Sequence, residues 1–130
     1  MNTVEFKSNI FPKYPNEDEE IINPNRWGKK LAEWVSEKLP DEGIKTEEIF
    51  PEDWGWLVNL KIENFNSFLG CGIIDGAENE FLILIEVKQP FFKRLFNKKD
   101  PKPIQEKIKK ALDSILKKEK NISEIKWECS

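Results

Sequence analysis

Phe50-Pro51-Glu52-Asp53-Trp54-Gly55-Trp56-Leu57-Val58-Asn59-Leu60-Lys61-Ile62 is the stretch on which the fold turns. From Trp54 onward the apolar residues recur at every second position. Trp54, Trp56, Val58, Leu60 and Ile62 fall on one face, with Gly55, Leu57, Asn59, Lys61 and Glu63 on the other. Successive side chains of an extended chain point to opposite sides, so a period of two predicts a long half-buried strand. Just before it, Phe50 to Trp56 gather two of the five tryptophans, two adjacent carboxylates and a glycine where an acidic loop turns into that strand. Nothing in these residues is a catalytic signature.

Downstream, Asn64 to Asn66 predict a turn and Ser67 to Ile74 a second strand, which holds Gly70-Cys71-Gly72. Asp75-Gly76 opens the next turn. Phe81 to Lys88 is the third and most hydrophobic strand, apolar on both faces at its start, the pattern of a central strand under a helix. Short connections between the three predict an antiparallel meander. In Pro90 to Pro101, Phe91, Phe92, Leu95 and Phe96 recur at i, i+1, i+4 and i+5, which predicts a short helix or helical turn with Lys93, Arg94, Lys98 and Lys99 opposite. After Pro103, the spacing of Ile104, Ile108, Ala111, Leu112, Ile115 and Leu116 predicts an amphipathic helix ending near Lys120. Ile122, Ile125 and Trp127 suggest a last short strand or a tail laid on the core.

Upstream, Thr3 to Lys7 alternate as a short first strand. Residues 8–25 read as a long acidic loop, carrying Pro12, Pro15, Pro24 and the run Glu17-Asp18-Glu19-Glu20. Such a loop is either pinned by Ile10, Phe11 and Tyr14 or held ready for a partner. Trp27, Leu31, Trp34, Val35 and Leu39 recur at helical spacing until Pro40, with Trp27 and Trp34 read as core. Asp41-Glu42-Gly43 turns the chain, and Ile44 to Ile49 form a second short strand carrying Glu47 and Glu48. No linker or repeat divides the 130 residues. The expected fold is therefore a single α+β domain over 1–130: a mostly antiparallel sheet of about four to six strands with two main helices packed on it.

Composition removes whole classes of chemistry. The sequence has no histidine, which excludes Ser–His and Cys–His nucleophiles, histidine acid–base catalysis and most zinc sites. Cys71 and Cys129 are too few for a disulfide framework and form no C-x-x-C pair, so they read as reduced thiols, Cys71 in or beside the core. The first residues lack a signal-peptide pattern and no apolar run approaches a membrane span, so the expectation is a cytoplasmic protein. The net charge of -3 is small but unevenly spread: residues 1–57 hold 13 acidic and 7 basic side chains, whereas 58–130 hold 11 and 14. A dipolar chain can offer either an acidic or a basic face.

Three patterns bear on function. Gly70-Cys71-Gly72-Ile73-Ile74-Asp75-Gly76 is a variant of a dinucleotide fingerprint, but that chemistry needs a strand–turn–helix and here the pattern lies inside a strand. It reads better as a bulge, or as glycines admitting another backbone or an aromatic ring. Glu52-Asp53, with Glu47 and Glu48, offers carboxylates, but adjacent residues of an extended chain point apart, which favours a charged surface over a catalytic pair. Residues 88–120 hold 12 basic and 4 acidic side chains, a possible nucleic-acid surface built from Lys93, Arg94, Lys98, Lys99, Lys109 and Lys110.

Taken together, Glu52-Asp53-Trp54-Gly55-Trp56, Leu69-Gly70-Cys71-Gly72, Phe81–Val87, the Pro90–Phe96 segment and the Ile104–Leu116 helix resemble a family of small bacterial proteins. That family has an E-D-[WY]-G-W strand, a G-C-G strand and a phenylalanine-lysine segment before the last helix; the likeness covers about residues 48–128. It assigns no catalytic residue, metal or cofactor. In size and character such proteins are similar to the immunity proteins of polymorphic toxin systems, including contact-dependent inhibition and type VI secretion. The resemblance implies a non-enzymatic inhibitor whose partner is a cognate toxin. An acidic surface of Glu17, Asp18, Glu19, Glu20, Glu47, Glu48, Glu52 and Asp53, anchored by Trp54 or Trp56, would plug a basic cleft. The alternative is a nucleic-acid-associated protein using the basic region.

Overall fold

The computed structural model describes residues 2–19, 27–62, 65–74, 79–88 and 100–129. The expected turns at Asn64 and Asp75-Gly76 and the Phe91–Phe96 segment lie outside the described residues. The chain runs β1 (Asn2–Ser8), a 3-10 turn (Glu17–Glu19), α1 (Lys29–Lys38), a second 3-10 turn (Leu39–Glu42), β2 (Lys45–Glu52) and β3 (Gly55–Ile62). It continues through β4 (Phe65–Ile73), β5 (Glu80–Lys88), α2 (Lys102–Lys118) and β6 (Ile122–Cys129). Six antiparallel strands form one sheet in the order β2-β3-β4-β5-β1-β6, with both helices packed against it. The expected α+β class is thus what the chain adopts.

The meander is longer than its sequence signal, because Ile44–Ile49 continues through Pro51 to Glu52 as β2 and pairs along β3. β1 inserts between β5 and β6, and the expected tail is a full strand, pairing Val4 with Trp127 and Glu5 with Lys126. Both sheet edges are interrupted. β2 carries Pro51 and a register shift between Thr46 and Ile49; β6 carries Glu124 at φ 53 opposite a shift between Glu5 and Lys7.

Alternation puts Val4, Phe6, Val58, Leu60, Leu69, Cys71, Ile83 and Ile85 on the covered face, where they meet Leu31, Val35 and Leu39 of the first helical segment and Ile108, Leu112 and Leu116 of α2. Each fully buried aliphatic contributes about 2 kcal/mol relative to exposure. The acidic loop is pinned. Phe11 drives into this core with its ring 5.6 Å from Phe81 and 5.3 Å from Trp34, and the Tyr14 hydroxyl donates to Glu33. Ser67 also faces inward, between Leu60 and Val87 in register, and its buried hydroxyl has no hydrogen-bond partner among the described residues.

Across the other face, one row runs Phe50–Leu57–Gly70–Leu84–Thr3–Glu128 and a second Asn59–Phe68–Glu86, with Gly72–Leu82–Glu5–Lys126 on the far side. Phe50, Leu57, Phe68, Leu82 and Leu84 are half-buried there. β5 is central, as its sequence predicts, but the described helices cover only one of its faces.

Candidate partner-binding surface

Asp53 and Trp54 form the two-residue connection between β2 and β3, closed by pairing of Glu52 with Gly55. Gly55 sits at φ 146, and a Cβ there would stand 2.4 Å from the Cys71 carbonyl oxygen, so neither the backbone angle nor the space admits a side chain. This residue resets the alternation. Trp54 does not share a face with Trp56, as a strand running from Trp54 would require; it crosses to the opposite side and lies over β4. There a Cβ on Gly70 would be 2.8 Å from the Trp54 ring, and one on Gly72 would be 3.0 Å from the Trp54 carbonyl oxygen. The Gly70-Cys71-Gly72 strand is therefore unbulged, its register continuous, and its glycines admit Trp54. The indole remains 40% exposed, the one exposed large apolar side chain among the described residues.

Trp56 is the opposite case. At 3% exposure it lies in the core, and its Nε1 donates to Glu17 Oε2 at 3.0 Å. The same oxygen accepts from the backbone N–H groups of Gly28 (2.9 Å) and Lys29 (3.2 Å), while Oε1 accepts from that of Tyr14 (3.2 Å). α1 has no side-chain cap of its own, so Glu17 caps it from the loop, a negative group at the positive end of the helix dipole. Glu17 is fully buried. Glu17 and Trp56 thus leave the expected partner surface, because both are consumed in holding the loop, α1 and β3 together.

The remaining acids are divided. Asp18 is exposed and accepts from Lys13 and from Trp27 Nε1, and these bonds hold its carboxyl below the ordinary range. Glu19 is exposed; Glu20 lies outside the described residues. Glu47 and Glu48 are exposed at the irregular part of β2, and Glu52, half-buried, and Asp53, exposed, immediately precede Trp54. Glu48 and Glu52 are four residues apart along the edge strand, about 13 Å. The 3-10 turn Glu17–Glu19 reaches the same end of β3 through Trp56, but from the helix-covered side. One corner therefore joins an exposed aromatic to carboxylates, and it consists of Glu52, Asp53 and Trp54, with Glu47 and Glu48 further along the edge.

Of the basic alternative, Lys93, Arg94, Lys98 and Lys99 lie outside the described residues. Lys110 is exposed; Lys109 reaches over the Trp127 ring at 5.4 Å. Trp127 Nε1 and Lys117 both bind Asp113, at 2.9 Å each, so this part of α2 is locally compensated. A cleft of about 510 Å³ opens between Phe11, Trp27, Ile73, Asn79 and Lys13, but Lys13 is bonded to Asp18 and among the described residues no titratable pair lines it. Among the described residues no group of three or more cysteine or acidic side chains is placed to hold a metal ion. Cys71 is buried, and desolvation pushes its thiol well above the ordinary range, away from nucleophilic use.

No known family, curated protein or solved structure matches the chain. The surface therefore stands on its own geometry. Of the two readings of Gly70-Cys71-Gly72, the bulge is absent and the approach of an aromatic ring holds, the ring being that of Trp54. The apolar uncovered face escaped the sequence, though Leu82 and Leu84 on the second face of β5 were its signal.

Proposed function

We propose that this chain is a protein-binding module, and within that class an immunity protein that neutralises a cognate toxin by occluding a basic cleft. The observation that supports it is Trp54, an indole held partly open to solvent on a glycine seat directly after two carboxylate-bearing residues, Glu52 and Asp53. Binding hot spots favour tryptophan already fixed in one orientation, because little rotamer freedom is then lost on association. Glu52 and Asp53 beside it, and Glu47 and Glu48 along the edge, supply the charge that steers a basic partner.

The test is affinity capture of the tagged protein from its native cells after nuclease treatment, with mass spectrometry of what is retained. The expected result is one stoichiometric protein carrying a toxin-like domain. With that partner in hand, Trp54→Ala should weaken binding about 30-fold or more. Glu52→Lys with Asp53→Lys should slow association about tenfold at low salt. Binding and salt dependence that survive these changes, or retention of nucleic acid in place of a protein, would remove the proposal.

A further inference from the structure

We propose that the outer edge of β6 pairs with the same edge of a second copy of this chain, joining two six-stranded sheets into one of twelve strands about a two-fold axis at Trp127. The inference does not rest on the partner-binding reading above, since β2, which leads into Trp54, is the strand at the opposite end of the sheet.

β2 and β6 are the two end strands, and each leaves one row of backbone N–H and C=O groups with no strand beside it. β2 is poorly suited to extend the sheet. Pro51 has no N–H to give, and the register shift between Thr46 and Ile49 breaks the strand in its middle. On β6 the shift and Glu124, at φ 53, lie toward one end. Beyond them Lys126, Trp127, Glu128 and Cys129 pair with Glu5, Val4, Thr3 and Asn2 without a break. Among the described residues, no backbone hydrogen bond outside the β1 ladder reaches Lys126 to Glu128.

The charges identify the occupant and its register. Antiparallel copies related by a two-fold axis share the same two faces, so each possible register is centred on one residue. Centred on Trp127, Lys126 of each copy stands opposite Glu128 of the other, twice over, and the two half-buried Trp127 side chains are neighbours on the helix-covered face. Centred on residue 126, lysine would face lysine; centred on residue 128, glutamate would face glutamate. Lys126 and Glu128 are both exposed. Lys126 has Glu5 opposite it on β1, yet among the described residues neither Lys126 nor Glu128 closes an ion pair. An isolated lysine on an edge strand keeps other strands away. This one is matched, two residues on, by the charge that a copy of itself requires.

The test is sedimentation equilibrium of the full chain up to about 0.5 mM, where a single strand edge, a small interface, should give a weak monomer–dimer exchange. Across the same range the backbone amide resonances of Lys126, Trp127 and Glu128 should shift with concentration. Lys126→Glu and Glu128→Lys each set like charges opposite one another, and each alone should weaken dimerisation about tenfold or more. Mixed in equal amounts, the two variants regain both opposite-charge pairs in a heterodimer, so dimerisation should return to near that of the parent. Trp54→Ala should leave the dimer unchanged. Circular dichroism shows that each variant is folded. A parent that stays monomeric, concentration-dependent shifts that spare β6, a dimer indifferent to both reversals, or no recovery when two folded variants are mixed would overturn the proposal. Loss of the dimer in Trp54→Ala would overturn it as well, by moving the contact to the other end of the sheet.

Discussion

Glu17 Oε2 accepts the indole N–H of Trp56 at 3.0 Å across 39 residues of sequence. The bond ties the acidic loop to the start of β3, and the same carboxylate closes the N-terminus of α1. Glu17→Gln replaces an acceptor oxygen by an NH2 group facing N–H donors in a fully buried site. It is expected to cost about 3 kcal/mol. Trp56→Phe deletes one donor and leaves Glu17 its other partners, so it should cost about 1 kcal/mol. Denaturant unfolding of both variants checks the order; equal losses, or a smaller one at Glu17, would contradict the clamp.

The two glycines around Trp54 separate backbone strain from side-chain crowding. Gly55→Ala places a Cβ against a carbonyl oxygen at a positive φ, and both objections are rigid. A loss of about 3 kcal/mol is expected. At Gly70 the added methyl meets only the far edge of the Trp54 ring. Gly70→Ala should therefore cost about 1 kcal/mol or less, while moving the Trp54 indole resonance in an NMR spectrum. An unmoved indole would show that Trp54 does not rest where it is placed.

Asp113 gives the protein part of its response to acid. Desolvation pushes this carboxyl upward, but the bonds from Lys117 and Trp127 and the nearby charges of Lys117 and Lys109 outweigh it and hold the group below the ordinary range. A carboxyl whose folded value is depressed adds stability that is complete above its unfolded value, about 3.9 for aspartate, and is lost as pH falls through the folded one. Asp113→Asn should thus lower the melting temperature near neutrality, and the deficit should shrink as pH falls through the folded value, which lies below the ordinary aspartate range. A difference that stayed constant with pH would show that the charge is not involved.

Ser67 carries a buried hydroxyl with no hydrogen-bond partner among the described residues, and the structure offers no physical reason for it. Removing an unsatisfied polar group relieves its desolvation cost. Ser67→Ala is expected to be neutral or to stabilise by up to about 1 kcal/mol in chemical denaturation. A clear destabilisation would mean that the hydroxyl has a partner.

Local patterns were legible and convergences were not. The period of two in β3 and the stripe from Ile104 to Leu116 are set by neighbouring residues, and both elements form where they predict. The face of Trp54 was misread because one residue, Gly55 at φ 146, breaks the alternation that the pattern assumes. In the run Glu17-Asp18-Glu19-Glu20 all four residues are carboxylates, and Glu17 turns inward because N–H groups from Tyr14, Gly28, Lys29 and Trp56 meet there. No window of sequence contains that meeting. The position of β6 beside β1 was likewise open between a strand and a tail, since its partner lies at the other end of the chain.

The insertion of β1 between β5 and β6 also fixes an order of events in time. β2, β3, β4 and β5 pair with neighbours a turn away, at small cost in loop closure, whereas β1 must find β5 and β6 across most of the chain. The seam around Val4 and Phe6 is therefore the slow, long-range half of a sheet whose other half is local. With the local half in place before the seam closes, changes in the β2–β3 hairpin are expected to slow assembly and to leave the rate of opening little altered.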